Sequence, residues 1–416
     1  MTTASATRPT TPPTWRTPMI ILAAGSLCVL VAMGLRASLG LFLTPMTSDL
    51  GWARETFAVA LAIQNLLWGA FQPFASAAAE RWGTGRIIAL GGVLYASGLY
   101  LMSISIDPLA FQFSAGLMIG MAQSGCALAV VLSAVGRVMP PEKRSWGLGV
   151  VTSVGAAGQF SVVPLGQFFL GQYGWSMSYL LLATLAIIIL VCAIPLQGRA
   201  PAAGSSNGTA NADASSLTDA LREALSHRGY WLLTLGFFVC GFHVAFVGVH
   251  LPSYLTDMGL PKTTGAWSLS LIGLFNVIGA YVAGTLGDKF RKKNLLSYLY
   301  LLRSVVILIF ILMPVSIVSV VIFSVFLGLL WLSTVPLTSG LVAQIFGTRY
   351  MGTLFGIVFL GHQIGSFLGI WLGGYLYDAF GTYMPVWWMG VALGIASAVV
   401  HWPINDETVL RVAPAE

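Results

Sequence analysis

Ionisable side chains stand inside long apolar runs of this sequence: Arg36 in MGLRASLGLF, His243 and His250 in CGFHVAFVGVHL, Arg303 in YLYLLRSVVI and His362 in FLGHQIGSFLG. A guanidinium stays charged in proteins, and its forked donors match a carboxylate held by two parallel hydrogen bonds. An imidazole changes charge near neutrality, so it can bind an anion or carry a proton. Gln123, Gln159 and Asn276 occupy similar runs and can hydrogen-bond an oxygen-rich ligand, while Trp331 in GLLWLSTVP lies deep enough to form a cavity wall. The set suits reversible recognition of a small anion. No nucleophile–base pairing stands out, so the chain is not expected to be an enzyme. No Walker sequence is present to couple ATP. Cys28, Cys126, Cys192 and Cys240 lack metal or redox spacing and read as packing residues, so no metal or cofactor is expected.

The elements that carry these residues must suit a particular solvent. Hydrophobic residues make up 57% of the chain, charged residues only 8%, and the mean hydropathy is +0.84. Soluble domains carry about 25% charged residues, so the bilayer is the expected solvent. The apolar runs are continuous and show no period of two, which favours helices over a barrel. An ionisable group at the centre of a membrane helix costs about 2.5–3.5 kcal/mol on insertion scales. Arg36 lies about 20 residues past Arg16 and nine before Pro45, too deep to reach the interface easily. Arg303 is about 15 Å into its span at 1.5 Å per residue. Each of these residues also has a structural alternative: backbone carbonyls for Arg36, a neighbouring helix for Arg303, apolar packing for the histidines and interhelical bonds for the amides and Trp331.

Apolar runs and charged or Pro/Gly breaks predict twelve transmembrane helices: 19–45, 56–79, 87–105, 108–138, 146–170 and 175–197, then 229–256, 264–287, 294–313, 316–345, 350–376 and 382–404. The expected organisation is a cytoplasmic tail (1–18), a six-helix bundle (19–197), a cytoplasmic linker (198–228), a second six-helix bundle (229–404) and a short tail (405–416). With both termini inside, sixteen of the 20 Lys/Arg residues fall on the cytoplasmic side, and only Arg54 and Lys262 fall outside. That asymmetry is the positive-inside pattern of a multi-pass protein of a bacterial-type inner membrane. It also accounts for the net charge of +6 without nucleic acid. No cleavage site follows the N-terminal apolar core, so the first helix is expected to be an uncleaved span. Within the linker, Ser216-x-x-Asp219 and leucines 217, 221 and 225 predict a short amphipathic helix on the membrane surface.

The halves repeat. At an offset of 207, Gly149, Gly158, Phe160, Leu165, Gly166 and Gly174 match Gly356, Gly365, Phe367, Leu372, Gly373 and Gly381. At 208, Asp49-Leu-Gly51 matches Asp257-Met-Gly259, and SAAAERWGTGR (Ser76–Arg86) lies opposite GTLGDKFRKK (Gly284–Lys293). Two pseudo-symmetric parallel bundles imply transport by rocking about a central site. At 207, His243 is the partner of Arg36, and His250 follows on nearly the same face.

The loop pair resembles the G-x-x-x-D-R-x-G-R signature of the major facilitator superfamily. The first copy has Ser76 and Glu80 but keeps Arg81, Gly83 and Arg86; the second keeps Gly284, Asp288 and Lys289 but has Arg291 for the later glycine. The resemblance implies an all-α membrane protein with the major facilitator fold, and a gating role for Glu80, Arg81, Asp288 and Lys289. A narrower resemblance is to the monocarboxylate-transporter branch, which has a lysine six residues before a phenylalanine where Arg36 precedes Phe42. That branch's Asp–Arg pair in the eighth helix falls here at Asn276 and Ala280 and is absent.

The expected function is secondary transport of a small organic anion, in particular a monocarboxylate, by a monomer. Proton-coupled uptake is the expected mode. Arg36, His243, Asn276, His362, Gln159, Gln123 and Trp331 are the candidate substrate contacts. His362, His243 and His250 are the candidate proton carriers, and Arg303 is a further candidate. Uptake of a larger aromatic nutrient or vitamin, or efflux of a drug or metabolite, are the alternatives. Every Asp and Glu lies at a span end, in a loop or in a tail, and the fifth span lacks the G-P dipeptide usual in drug/proton exporters.

Overall fold

The structure is a computed structural model that describes residues 15–140, 144–198, 217–347 and 351–409; at Glu80, 144–146, 217 and Gly352 only the backbone is described. The segments 1–14, 199–216 and 410–416, with the Ser216 cap and the loop charges Lys143, Arg199 and Arg349, lie outside those residues.

The first half forms α1 (Pro18–Leu50), α2 (Arg54–Trp82), α3 (Thr84–Ile104), α4 (Pro108–Val138), α5 (147–173) and α6 (175–193). The second half forms α7 (Arg228–Asp257), α8 (Lys262–Lys289), α9 (Lys292–Leu312), α10 (Ile317–Phe346), α11 (Met351–Phe380) and α12 (Met384–His401). The result is an all-α membrane protein of two pseudo-symmetric six-helix bundles. Helices α5 and α6 run on with only Gly174 (φ 74) between them. The short helix before α7 spans Leu217–Ser226. Ala220 and Ala224 pack inward there, whereas Leu225 of the expected leucine face is exposed.

The repeated glycines have two structural reasons. Gly51 and Gly259 (φ 67 and 82), and Gly174 and Gly381 (φ 74 and 69), turn the chain through the left-handed region at equivalent corners. Gly158 and Gly365 instead mark close crossings inside each bundle. A Cβ on Gly158 would lie 2.1 Å from the Leu30 carbonyl, and one on Gly365 would lie 1.9 Å from the Phe238 carbonyl. Leu30 and Phe238 are 208 apart, so the same crossing is built twice. Helices without side chains at such points approach closely and exchange dispersion contacts.

α1 starts and α12 ends at what we call the terminal end of the molecule; the opposite end is the far end. Every hydrogen bond described between the bundles lies at mid-depth or toward the far end. At mid-depth, Gln159 Nε2 donates to Leu269 O (2.8 Å) and Gln363 Nε2 donates to Asn65 O (3.0 Å). Farther out, Thr44 Oγ1 donates to Ser253 Oγ (2.7 Å). The far end itself is latched by charge. Arg54 at the start of α2 donates to both oxygens of Asp257 at the end of α7 (2.6 and 2.8 Å) and to the Tyr383 hydroxyl (2.8 Å). Its guanidinium lies over the Tyr377 ring at 3.8 Å.

Asp378 of α11 accepts the backbone N–H groups of Arg54 (3.1 Å) and Glu55 (2.7 Å), and Trp371 Nε1 donates to Glu55 Oε1 (2.9 Å). The first amides of a helix have no partner of their own, and Ala53 offers no side-chain cap. A carboxylate of the other bundle therefore caps α2 and meets the positive end of its dipole. At the terminal end, by contrast, a Cβ on Gly149, Gly284 or Gly356 would meet nothing within 4 Å. The hydrogen bonds and charge contacts described between the bundles are thus concentrated from mid-depth to the far end, on the α2–α7–α11 side.

Two outcomes are expected. Gly158→Ala or Gly365→Ala forces a carbonyl aside, at a cost of about 1–3 kcal/mol, and lowers the melting temperature of the purified protein; Gly149→Ala and Gly356→Ala, equally part of the repeat, leave it unchanged. Arg54→Gln or Asp378→Ala loosens the latch, so a cysteine at Ser253 reacts several-fold faster with a maleimide applied at the far end. Equal labelling rates would contradict the latch.

Candidate functional site

A chamber of about 50 Å³ lies between the bundles, lined by Arg36 and Ala37 of α1, Gln64 and Asn65 of α2, Gln159 of α5 and Trp331 of α10, with aliphatic side chains of α7, α8 and α11 completing the wall. Asn65 is 11 residues into α2, about 16 Å from its start at 1.5 Å per residue. The volume holds roughly one or two waters, so the chamber is contracted in this state. Among the described residues no Asp or Glu lines it. A separate cavity of about 870 Å³ lies at the far end between α1, α5, α7 and α8, lined by Asp49, Gln167, Tyr173, Trp175 and Lys262 among others. It opens at the surface and contains none of the candidate substrate, proton or gating residues.

Arg36 is half-buried. Its Nη2 donates to Asn65 Oδ1 at 2.7 Å, and the guanidinium carbon stands 5.1 Å from the centre of the Trp68 ring. Its buried Nε has no partner. Asn65 is itself anchored, with Nδ2 donating to Leu61 O (2.8 Å), so the amide oxygen is fixed toward Arg36. Gln64, 1% exposed, has an unpartnered Nε2 in the same wall. The arrangement offers a fixed cation, further N–H donors and an indole face, in a site shielded from water where charge–charge attraction is strong.

His362 sits beside this chamber on α11. Its ring is stacked on Phe359 and tilted against Phe237 (centroids 5.7 and 4.8 Å). Nδ1 lies 3.0 Å from Gln363 Oε1, the oxygen of the amide whose nitrogen donates to Asn65 O. The amide orientation makes Nδ1 the donor and leaves Nε2 as an acceptor. His362 and Arg36 are thus joined through Gln363 and Asn65.

The other candidates go elsewhere. His243 does not face the chamber: its Nε2 bonds Gly390 O (2.7 Å) of α12, inside the second bundle. The expectation used an offset of 207, but the first helices of the halves repeat at 208, as Leu30/Phe238 and Gly51/Gly259 show. The equivalent of Arg36 is therefore Val244, which does line the chamber. One residue turns a helix by about 100°. His250 likewise points into its own bundle, with Nε2 on Ile370 O (2.8 Å) and Nδ1 3.4 Å from the Tyr383 hydroxyl. Gln123 is fully buried within the first bundle. Asn276 accepts the Leu332 amide (3.0 Å), and the fully buried Arg303 donates to Trp331 O (2.7 Å) and to Leu330 O. Both are engaged with the backbone of α10.

Of the expected gating residues, Arg81, Asp288 and Lys289 are exposed and form no ion pair among the described residues; the Glu80 side chain lies outside them. Arg291, where the signature has glycine, instead pairs with Asp406 beyond α12 (2.5 Å). Its hydrogen bond and charge hold the Asp406 carboxyl below the usual carboxylate range, so the pair persists above that range and is lost only as pH falls through the lowered value.

Sequence reasoning missed Gln64 and Asn65, and it missed the latch. A signal for the latch was present: Arg54 and Lys262 are 208 apart, each three residues beyond a repeated glycine, and each faces the question of which aspartate it meets.

The model of the Major Facilitator Superfamily matches residues 25–370. The chain is 23% identical to the uncharacterized MFS-type transporter YcxA of Bacillus subtilis, over 88% of this chain and 90% of that protein. It is 27% identical to monocarboxylate transporter 13 of Rattus norvegicus, over 88% and 83% respectively. Among solved structures, it resembles a bacterial homologue of the human lysosomal transporter Spinster, crystallised in an inward-facing, unoccupied conformation, with a TM-score of 0.69 and 15% identity over 94% of this chain and 95% of that one. With twelve spans, a duplicated six-helix unit and a family match over most of its length, the chain belongs to the major facilitator superfamily.

Proposed function

We propose that this transporter carries a small organic anion, in particular a monocarboxylate, by alternating access, and that Arg36 is the charge that holds it. The observation that carries the reading is the guanidinium oriented by Asn65 in a chamber between the bundles whose lining includes amides and an indole but no acid. A cation without an acidic partner here pays a desolvation cost that an arriving carboxylate offsets. The contracted chamber must widen to admit cargo, and rocking of the bundles opens it to one end at a time. With the positive-inside topology the terminal end is cytoplasmic and the latched far end faces outward.

Cargo entering from outside requires the Arg54–Asp257–Asp378 latch to open and the terminal end to close. Carboxylate binding to Arg36 draws α1, α2, α5 and α10 around one ligand, and that differential affinity shifts the population between the states. His362 is the proton carrier in this reading. Of the three candidate histidines it alone is linked to the chamber, through Gln363 and Asn65. Protonation makes the site more cationic before the anion arrives, which couples the two fluxes. A monomer contains the whole pathway.

The test is uptake of a radiolabelled carboxylate panel into proteoliposomes, with and without an inward proton gradient. Arg36→Ala lowers uptake of the accumulated acid about ten- to a hundredfold, as expected for loss of hydrogen bonds worth ~1.5–3 kcal/mol to a charged group; Arg36→Lys retains part of it. His362→Asn abolishes gradient-driven accumulation but spares exchange of labelled for unlabelled acid. Absence of accumulation of every acid tested, or unchanged transport in Arg36→Ala, sinks the proposal.

A further inference from the structure

α10 is discontinuous at mid-depth. One helical part ends at Leu330 and the next begins at Thr334, with Trp331, Leu332 and Ser333 between them. In hydrocarbon every carbonyl or amide released by such a break needs a protein partner. Two neighbouring helices supply them. Arg303 of α9 donates through Nη2 to the carbonyls of Leu330 and Trp331, the latter at 2.7 Å. Asn276 of α8 accepts the Leu332 amide at 3.0 Å.

The electrostatics fit a cation at this point. The first part of α10 ends there, with its last carbonyls at the negative end of the helix dipole. Arg303 is 0% exposed and forms no ion pair among the described residues; its Nη2 is held by these carbonyls and the Tyr300 ring lies 5.4 Å from its guanidinium, while Nε and Nη1 have no hydrogen-bond partner. The clamp is close on the other side as well: a Cβ on Gly279 of α8 would lie 1.9 Å from the Leu329 carbonyl. The residue pinned between the two clamps is Trp331, whose side chain lines the chamber with Arg36 and Gln159.

We propose that Arg303 and Asn276 are positioning residues that hold the break of α10 in the one backbone geometry presenting the Trp331 indole to the chamber. Arg303 serves the chamber wall and does not touch cargo. Its value as a wall for cargo rests on the transport-site reading above; its existence as a clamp does not. Ordinary helix-to-helix packing would place no requirement on Trp331 in particular.

The test needs no substrate. Full-length protein is labelled with 5-fluorotryptophan at its thirteen tryptophans, reconstituted in nanodiscs and measured by ¹⁹F NMR, with Trp331→Phe identifying the Trp331 resonance. The expected result is that Arg303→Met and Asn276→Ala each displace or broaden that resonance while the other twelve hold, and that Arg303→Lys returns it toward the native position. A Trp331 resonance unmoved in both Arg303→Met and Asn276→Ala overturns the proposal. So does displacement of most resonances together, which would show that these side chains support the bundle as a whole. Because the signal does not depend on uptake, failure here is separable from failure of the anion reading.

Discussion

A backbone polar group set free inside hydrocarbon must find a partner in the protein, and that constraint runs through the whole molecule. It makes the spans helical. It also decides which departures from regular helix are tolerated and which side chains they tie down. The break in α10 is possible because Arg303 and Asn276 take up its carbonyls and amide. The start of α2, lacking a cap of its own, is completed by Asp378 across the bundle interface. In one place the constraint shapes the chamber, in the other it latches the far end.

These two devices act on the same pair of bodies. The latch joins α2 to α7 and α11, while the chamber is walled by α1, α2, α5 and α10 together with α7, α8 and α11. In the proposed alternating-access cycle, rocking one bundle against the other changes both at once, because close crossings such as those at Gly158 and Gly365 stiffen each bundle internally. Mid-depth bonds such as Gln159–Leu269 and Gln363–Asn65 join the bundles between the latch and the terminal end. The second of these also links Asn65, which orients Arg36, to Gln363 and His362. In the proposed cycle, proton, anion and bundle contact thus meet around one asparagine.

The sequence disclosed the architecture because hydrophobic length, loop charge and the glycine repeat are all local or periodic signals. Gly51/Gly259 and Gly158/Gly365 were visible as matched positions, and the structure supplies their reasons. Arg36, Gln159 and Trp331 were legible as chamber residues because polar or aromatic groups at mid-span stand out from their surroundings. What was not legible is rotation about a helix axis. A slip of one residue in the repeat placed His243 opposite Arg36, when Val244 is the true equivalent. Nor can a sequence say whether a buried polar group faces a ligand or a neighbour's backbone; Arg303 and Asn276 were selected by a correct rule and belong to the second kind. The latch was hidden because Arg54 and Asp257 are distant in the chain and each reads alone as an ordinary loop charge.

The claim on which the account turns is that Arg36 holds the carboxylate of the cargo within the chamber. The most direct measurement is an experimental structure of the full chain with an accumulated carboxylate bound. The account predicts carboxylate oxygens at about 2.7–2.9 Å from the Arg36 guanidinium, with the remainder of the acid against Trp331. An acid seated in the far-end cavity beside Lys262, or one in the chamber with its carboxylate turned away from Arg36, would contradict it.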